Sequence, residues 1–155
     1  MESIIKIWKT SRNKYLDFLD KYDLEQLNVI PTGFNNNLVW NIGHIIVAQQ
    51  SLIYKLSNLP MHISNDLLEI YKPGTKPISK TSQAEIDELK NLLTVLVDKT
   101  EIDLSNDVFR TFNERMTGTG FHLTSLGDAF EFNNYHEALH LGYMLSIKKF
   151  VLSSK

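Results

Sequence analysis

The chain contains no cysteine. Disulfides, thiolate ligands and a cysteine nucleophile are therefore excluded, and any transition-metal site must be built from histidine and carboxylate. Proline (4) and glycine (7) are sparse in 155 residues, which leans the chain towards helix. No apolar run approaches the roughly 18 residues of a membrane span. No Lys/Arg-rich run supplies the electrostatic footprint of a nucleic-acid surface, and the net charge is only -2. Trp8 and Lys9 stand where a signal peptide has its apolar region. These absences lead us to expect a cytoplasmic protein without nucleic-acid or membrane partners. The length suits one domain, residues 1–155, around one core.

What is present is helical periodicity. Ile4, Ile5, Trp8, Tyr15, Leu16, Phe18, Leu19 and Tyr22 predict a first helix from about Glu2 to Tyr22, with Asp23 to Asn28 either extending it or turning. Pro31 and Gly33 then break the chain. Asn35-Asn36-Asn37 offers N-caps to a second helix that runs from Leu38 through Leu56 and ends near Pro60. Asp66 to Tyr71 supports one or two helical turns, and Lys72 to Pro77 reads as loop. Ser82-x-x-Glu85 is a capping box in front of Ile86, Leu89, Leu92, Leu93, Leu96 and Val97, a third helix reaching about Thr100. Asp103 to His122 reads as a long excursion with room for a short hairpin turning at Thr117-Gly118-Thr119-Gly120. A fourth helix begins near Thr124-Ser125 and runs to about Val151. The fold class expected is all-α: a four-helix bundle with long connections between its second and third and its third and fourth helices.

The fourth helix carries His136-Glu137-Ala138-Leu139-His140. Histidines at i and i+4 differ by about 40° around a helix and by one turn along it, so both imidazoles can reach one metal ion. The spelling H-E-x-x-H is also that of zinc proteases. Those enzymes take a third ligand on the C-terminal side, and residues 141–155 contain no Asp, Glu or His. A di-iron carboxylate bundle needs a second Glu-x-x-His, and the chain has none. No G-x-S-x-G or phosphate-binding glycine loop is present either. Any third ligand comes from upstream. His44, in Trp40-Asn41-Ile42-Gly43-His44-Ile45-Ile46, is the best candidate. Taken alone, it reads as a satisfied core histidine, and it becomes a ligand candidate because the second and fourth helices both bring histidine to one bundle; Gly43 would let a backbone or a bulky ligand approach it.

The blocks Trp40-Asn41-Ile42-Gly43-His44-Ile45 and His136-Glu137-Ala138-Leu139-His140-Leu141-Gly142, with their separation, resemble the DinB/YfiT-like family of metal-binding four-helix bundles. The resemblance covers essentially the whole chain. It implies a divalent metal, nickel or zinc, held by His44, His136 and His140. It also implies a small-molecule substrate, with a low-molecular-weight thiol as cosubstrate of an S-transferase or with water as in a hydrolase. Tyr143 departs from the pattern, since the family often has Gln after this glycine.

A metal in such a site lowers the pKa of bound water or holds a thiolate. Glu137 is the candidate catalytic residue, as a general base, although an exposed carboxylate or one that orients an imidazole is the better account of it. Asp128 suits the pocket mouth or the helix N-terminus. Asn41 suits an orienting role or equally a polar helix face, and His62 and His122 read as solvent-facing or locally bonded. The competing function is a non-catalytic bundle forming a homodimer through its apolar helix faces, with a structural, vestigial or empty metal site.

Overall fold

Ile5, Trp8, Arg12, Tyr15 and Leu19 recur at intervals of three and four, and all are buried. That stripe defines the inner face of α1, Glu2–Lys21. The structure, a computed structural model, describes residues 1–151. After α1 the chain does not extend the helix. Asp23 and Gln26 form a reciprocal capping box that starts a separate short helix, α2, Leu24–Asn28. Next comes α3, Leu38–Ile53, capped by the Asn37 side chain. It ends earlier than its apolar pattern suggests, because the chain tightens into a 3-10 turn, Lys55–Ser57, and leaves through Asn58 in the left-handed region (φ 58°). α4 spans Asn65–Tyr71 and α5 Gln83–Ser105. The strands β1, Arg115–Met116, and β2, His122–Leu123, form an antiparallel hairpin. α6, Leu126–Val151, completes the bundle.

The four long helices are α1, α3, α5 and α6. α3 lies against α6, and α1 against both α5 and α6. α3 is the central helix: every residue from Leu38 to Gln50 is buried, as expected of a segment apolar almost all round. Its polar side chains therefore need partners inside the protein. Gln49 Nε2 donates to Thr100 Oγ1 at 2.9 Å, and Gln50 Oε1 accepts from the His62 amide at 2.8 Å. Asn41 and His44 find theirs in the candidate site.

Two further boundaries differ from expectation, each for a tertiary reason. α5 runs past Thr100 because Thr100 and Asp103 are buried and bonded: Tyr54 Oη donates to Asp103 at 2.8 Å. The excursion consequently begins at Asn106. Its partly alternating stretch, 108–113, forms no strand. Phe109 and Phe112 pack on the bundle, and the Asn113 amide donates to the Leu56 carbonyl at 2.7 Å. The hairpin follows instead at Arg115–Leu123. Asp128 serves the start of α6, accepting from the amides of Thr124 and Ser125 while Ser125 Oγ accepts from its own amide.

Among the described residues no helix is long and apolar enough to cross a membrane.

Candidate metal centre

The Asn37 cap fixes the first turn of α3, with its Oδ1 accepting from the Trp40 amide at 2.8 Å. From that start, Asn41 and His44 face α6, where His136 and His140 stand one turn apart. One ring nitrogen from each of His44, His136 and His140 lies within 4.8 Å of the others, so the three can hold a metal ion. No Asp or Glu among the described residues joins the group.

Hydrogen bonds preset two of the three rings. His44 Nδ1 lies 2.7 Å from the Tyr71 carbonyl. A carbonyl only accepts, so Nδ1 carries the proton and the neutral ring offers its Nε2 lone pair. His140 Nδ1 lies 2.7 Å from Asn41 Oδ1. The Asn41 amide is oriented by its own NH2, which donates to the Asn37 carbonyl at 2.7 Å and to Asn36 Oδ1 at 2.9 Å. His140 is therefore also protonated on Nδ1. Trp40 stacks on His44 with ring centres 4.8 Å apart and fixes its plane. The third ring, His136, faces His44 through Nε2 at 3.3 Å, while its Nδ1 is buried without a partner. Nitrogens bound to zinc at about 2.0–2.1 Å in a tetrahedron sit about 3.3–3.4 Å apart, so the His44–His136 pair already has the spacing of one edge.

Residues 7–144 match the sequence model of the DinB superfamily. The chain belongs to the DinB superfamily. A comparison with curated proteins finds no match. In this DinB-superfamily chain the two histidine-bearing blocks meet across the α3–α6 contact, and the donor set, three neutral imidazoles with no thiolate, suits a divalent transition metal.

Burial keeps the rings neutral. It pushes the pKa of His136 down to about 3, with help from His140 and His44. It pushes that of His140 down to about 4, helped by His44. It lowers that of His44 as well, against an upward pull from the Tyr71 carbonyl. The metal-free protein is expected to lose stability on mild acidification. Below pH 6.5 the unfolded chain binds protons that the folded imidazoles refuse until about pH 4 for His140 and about pH 3 for His136, so stability is full above 6.5 and falls as pH drops. Urea midpoints at pH 7 and 4.5 check this; equal midpoints would refute it.

Glu137 stands elsewhere. It is 1% exposed, and its Oε1 accepts from Arg12 Nη2 at 2.6 Å and from Asn133 Nδ2 at 2.9 Å. It is neither exposed nor bonded to an imidazole. Its backbone carbonyl accepts from Tyr15 Oη at 2.6 Å, so α1 grips α6 between His136 and His140. Arg12 and Tyr15 were not singled out from sequence. The available signal was a cation set at core spacing between Trp8 and Tyr15. Tyr71 was also missed, because a backbone acceptor leaves no mark in the sequence. His62 lies 3.7 Å from Asp103 and edge-on to Tyr54, and His122 pairs with Glu114 on the hairpin at 3.1 Å.

The close approach at Gly43 comes from neither a backbone nor a ligand. A Cβ there would overlap the Tyr71 ring, 2.6 Å from its Cγ. Gly43→Ala is therefore expected to displace Tyr71, whose carbonyl holds His44, and to destabilise the fold by about 1–3 kcal/mol. Urea denaturation measures this, and an unchanged midpoint would refute it. A cavity of about 570 Å³ lies beside Trp40 and Tyr71, but none of the three histidines lines it. On the same helix as His136 and His140, Tyr135, Leu139 and Tyr143 are exposed, and Phe132 stacks against His136 with ring centres 6.0 Å apart.

Proposed function

We propose that the protein is a divalent-metal-dependent enzyme that transfers a low-molecular-weight thiol to a small electrophile, with zinc or nickel held by His44, His136 and His140. The observation that carries this reading is the convergence of three neutral imidazoles, two of them already fixed with the proton on Nδ1 and Nε2 unprotonated, without a carboxylate to close the set. A bound divalent cation would supply a Lewis acid that favours thiolate over thiol at neutral pH. The chain's own residues do the rest. Tyr71 and Asn41 hold two imidazoles in the ligating tautomer, and Trp40 and Phe132 flank the rings. Tyr135, Leu139 and Tyr143 give an apolar edge for the organic part of the electrophile. Glu137, committed to Arg12, is assigned no proton transfer. In the reaction the thiol proton leaves to solvent, the sulfur forms its bond to carbon, and the leaving group departs with the electron pair.

The test offers zinc- or nickel-loaded protein glutathione, cysteine and coenzyme A with a chlorodinitroarene, and a nitrophenyl ester in parallel. Thioether formation that a chelator abolishes and added metal restores is the expected result. Metal-dependent ester cleavage without thiol consumption would replace the transferase with a hydrolase. A metal-loaded protein inactive in every arm would sink the catalytic reading.

A further inference from the structure

His136 is the one imidazole of the cluster whose second nitrogen is unaccounted for. Its Nε2 faces His44 Nε2, a lone pair, so in the metal-free protein that 3.3 Å contact needs the His136 proton on Nε2. A metal takes the place of that proton, and a neutral imidazole bound through Nε2 must carry its proton on Nδ1. Nδ1 is buried, and a buried N–H requires an acceptor. On α6, among the described residues, the buried side-chain acceptors without a partner are Asn133 Oδ1 and Glu137 Oε2. Asn133 precedes His136 by three residues, one turn away, where side chains meet; Glu137 is the adjacent residue and points to α1. Chemistry fixes the Asn133 amide, since a carboxylate cannot donate and the NH2 must face Glu137 Oε1, leaving Oδ1 for another donor. Arg12 in turn fixes Glu137. Arg12 Nε and Nη1 and Trp8 Nε1 are buried and unpartnered in the same layer of α1, a donor-rich setting for an ordered water.

We propose that Asn133 is the positioning residue of His136. Its Oδ1, aimed by the Arg12–Glu137 pair, receives the Nδ1 proton of the metal-bound ring, directly or through one buried water. The chain Arg12–Glu137–Asn133–His136 then links α1 to the metal site, and loading the site switches His136 from its Nε2–H to its Nδ1–H tautomer. The inference rests on the three-histidine metal reading.

The experiment uses Zn²⁺ as probe. Nitrogen-15 NMR of the histidines assigns tautomers in metal-free and zinc-loaded protein, and chelator competition gives affinity for wild type, Asn133→Leu and Asn133→Ser. The expected result is a protected His136 Nδ1–H on loading. Asn133→Leu should bind zinc about 10–100-fold more weakly, the loss typical of an outer partner, with His44 and His140 still Nδ1–H. Asn133→Ser, which keeps a donor and an acceptor, should recover much of the affinity. Equal affinity in Asn133→Leu overturns the proposal, and so does a loss in which all three rings change together, which would mark a merely structural effect. The wild-type spectrum decides even if the leucine variant fails to fold: zinc uptake with no protected His136 Nδ1–H overturns the proposal while leaving the metal reading intact. A wild type that takes up no zinc overturns both.

Discussion

His136→Ala is expected to lower zinc or nickel affinity by more than the roughly 10–100-fold seen when only an outer partner is removed. The metal-free variant is also expected to lose less of its stability on acidification than the parent does. Both parts follow from the same geometry. Without this ring two imidazoles remain, and two nitrogens do not make a catalytic zinc site, which takes three protein ligands. His44 and His140 keep their orientations, because Tyr71 and Asn41 hold them independently of His136. The ring removed is half-buried, with its Nδ1 atom buried and unpartnered, and an unpaired buried polar atom opposes folding. Its pKa of about 3 makes the metal-free parent acid-sensitive, so the variant should lose less stability between pH 7 and 4.5. Metal content after dialysis and urea midpoints at both pH values measure the two effects. Metal content equal to the parent's would refute the ligand assignment. His62→Ala and His122→Ala are the controls, since both side chains lie in other clusters.

The parts of this site that were legible in the sequence are those set by local spacing. His136 and His140 declare themselves because the period of a helix puts i and i+4 on one face. Asn37 and Ser82 declare helix starts because caps are local chemistry. The four long helices follow from periodicity for the same reason. What stayed hidden depends on contacts between distant segments. α5 outruns its expected end because Asp103 is held by Tyr54 of the 3-10 turn region, 49 residues away. The His44 acceptor is a backbone oxygen of α4, and the group that occupies the space beside Gly43 is the same Tyr71. Glu137 suits a base when only its neighbours are known. Its actual partner, Arg12, lies 125 positions away on α1.

Arg12→Met is expected to destabilise the protein by about 3–5 kcal/mol, because it strands a carboxylate that is almost wholly inaccessible to water. For a chain of this size that is roughly a 10 °C fall in thermal midpoint. Adding Glu137→Leu should return most of the loss, since a buried ion pair replaced by apolar side chains of similar volume is often neutral or better. The double variant separates two accounts of Glu137. If the residue is an anchor for the turn between His136 and His140, Arg12→Met should weaken zinc binding and stability together, and Arg12→Met/Glu137→Leu should regain stability more completely than affinity, because Asn133 is left without the carboxylate that aims it. If Glu137 were instead the proton acceptor of the reaction, Arg12→Met would leave zinc affinity untouched and the double variant would bind metal fully while losing turnover. The buried Arg12 contact favours the anchor: together with the Asn133 amide it turns the carboxylate towards α1 rather than towards the imidazoles.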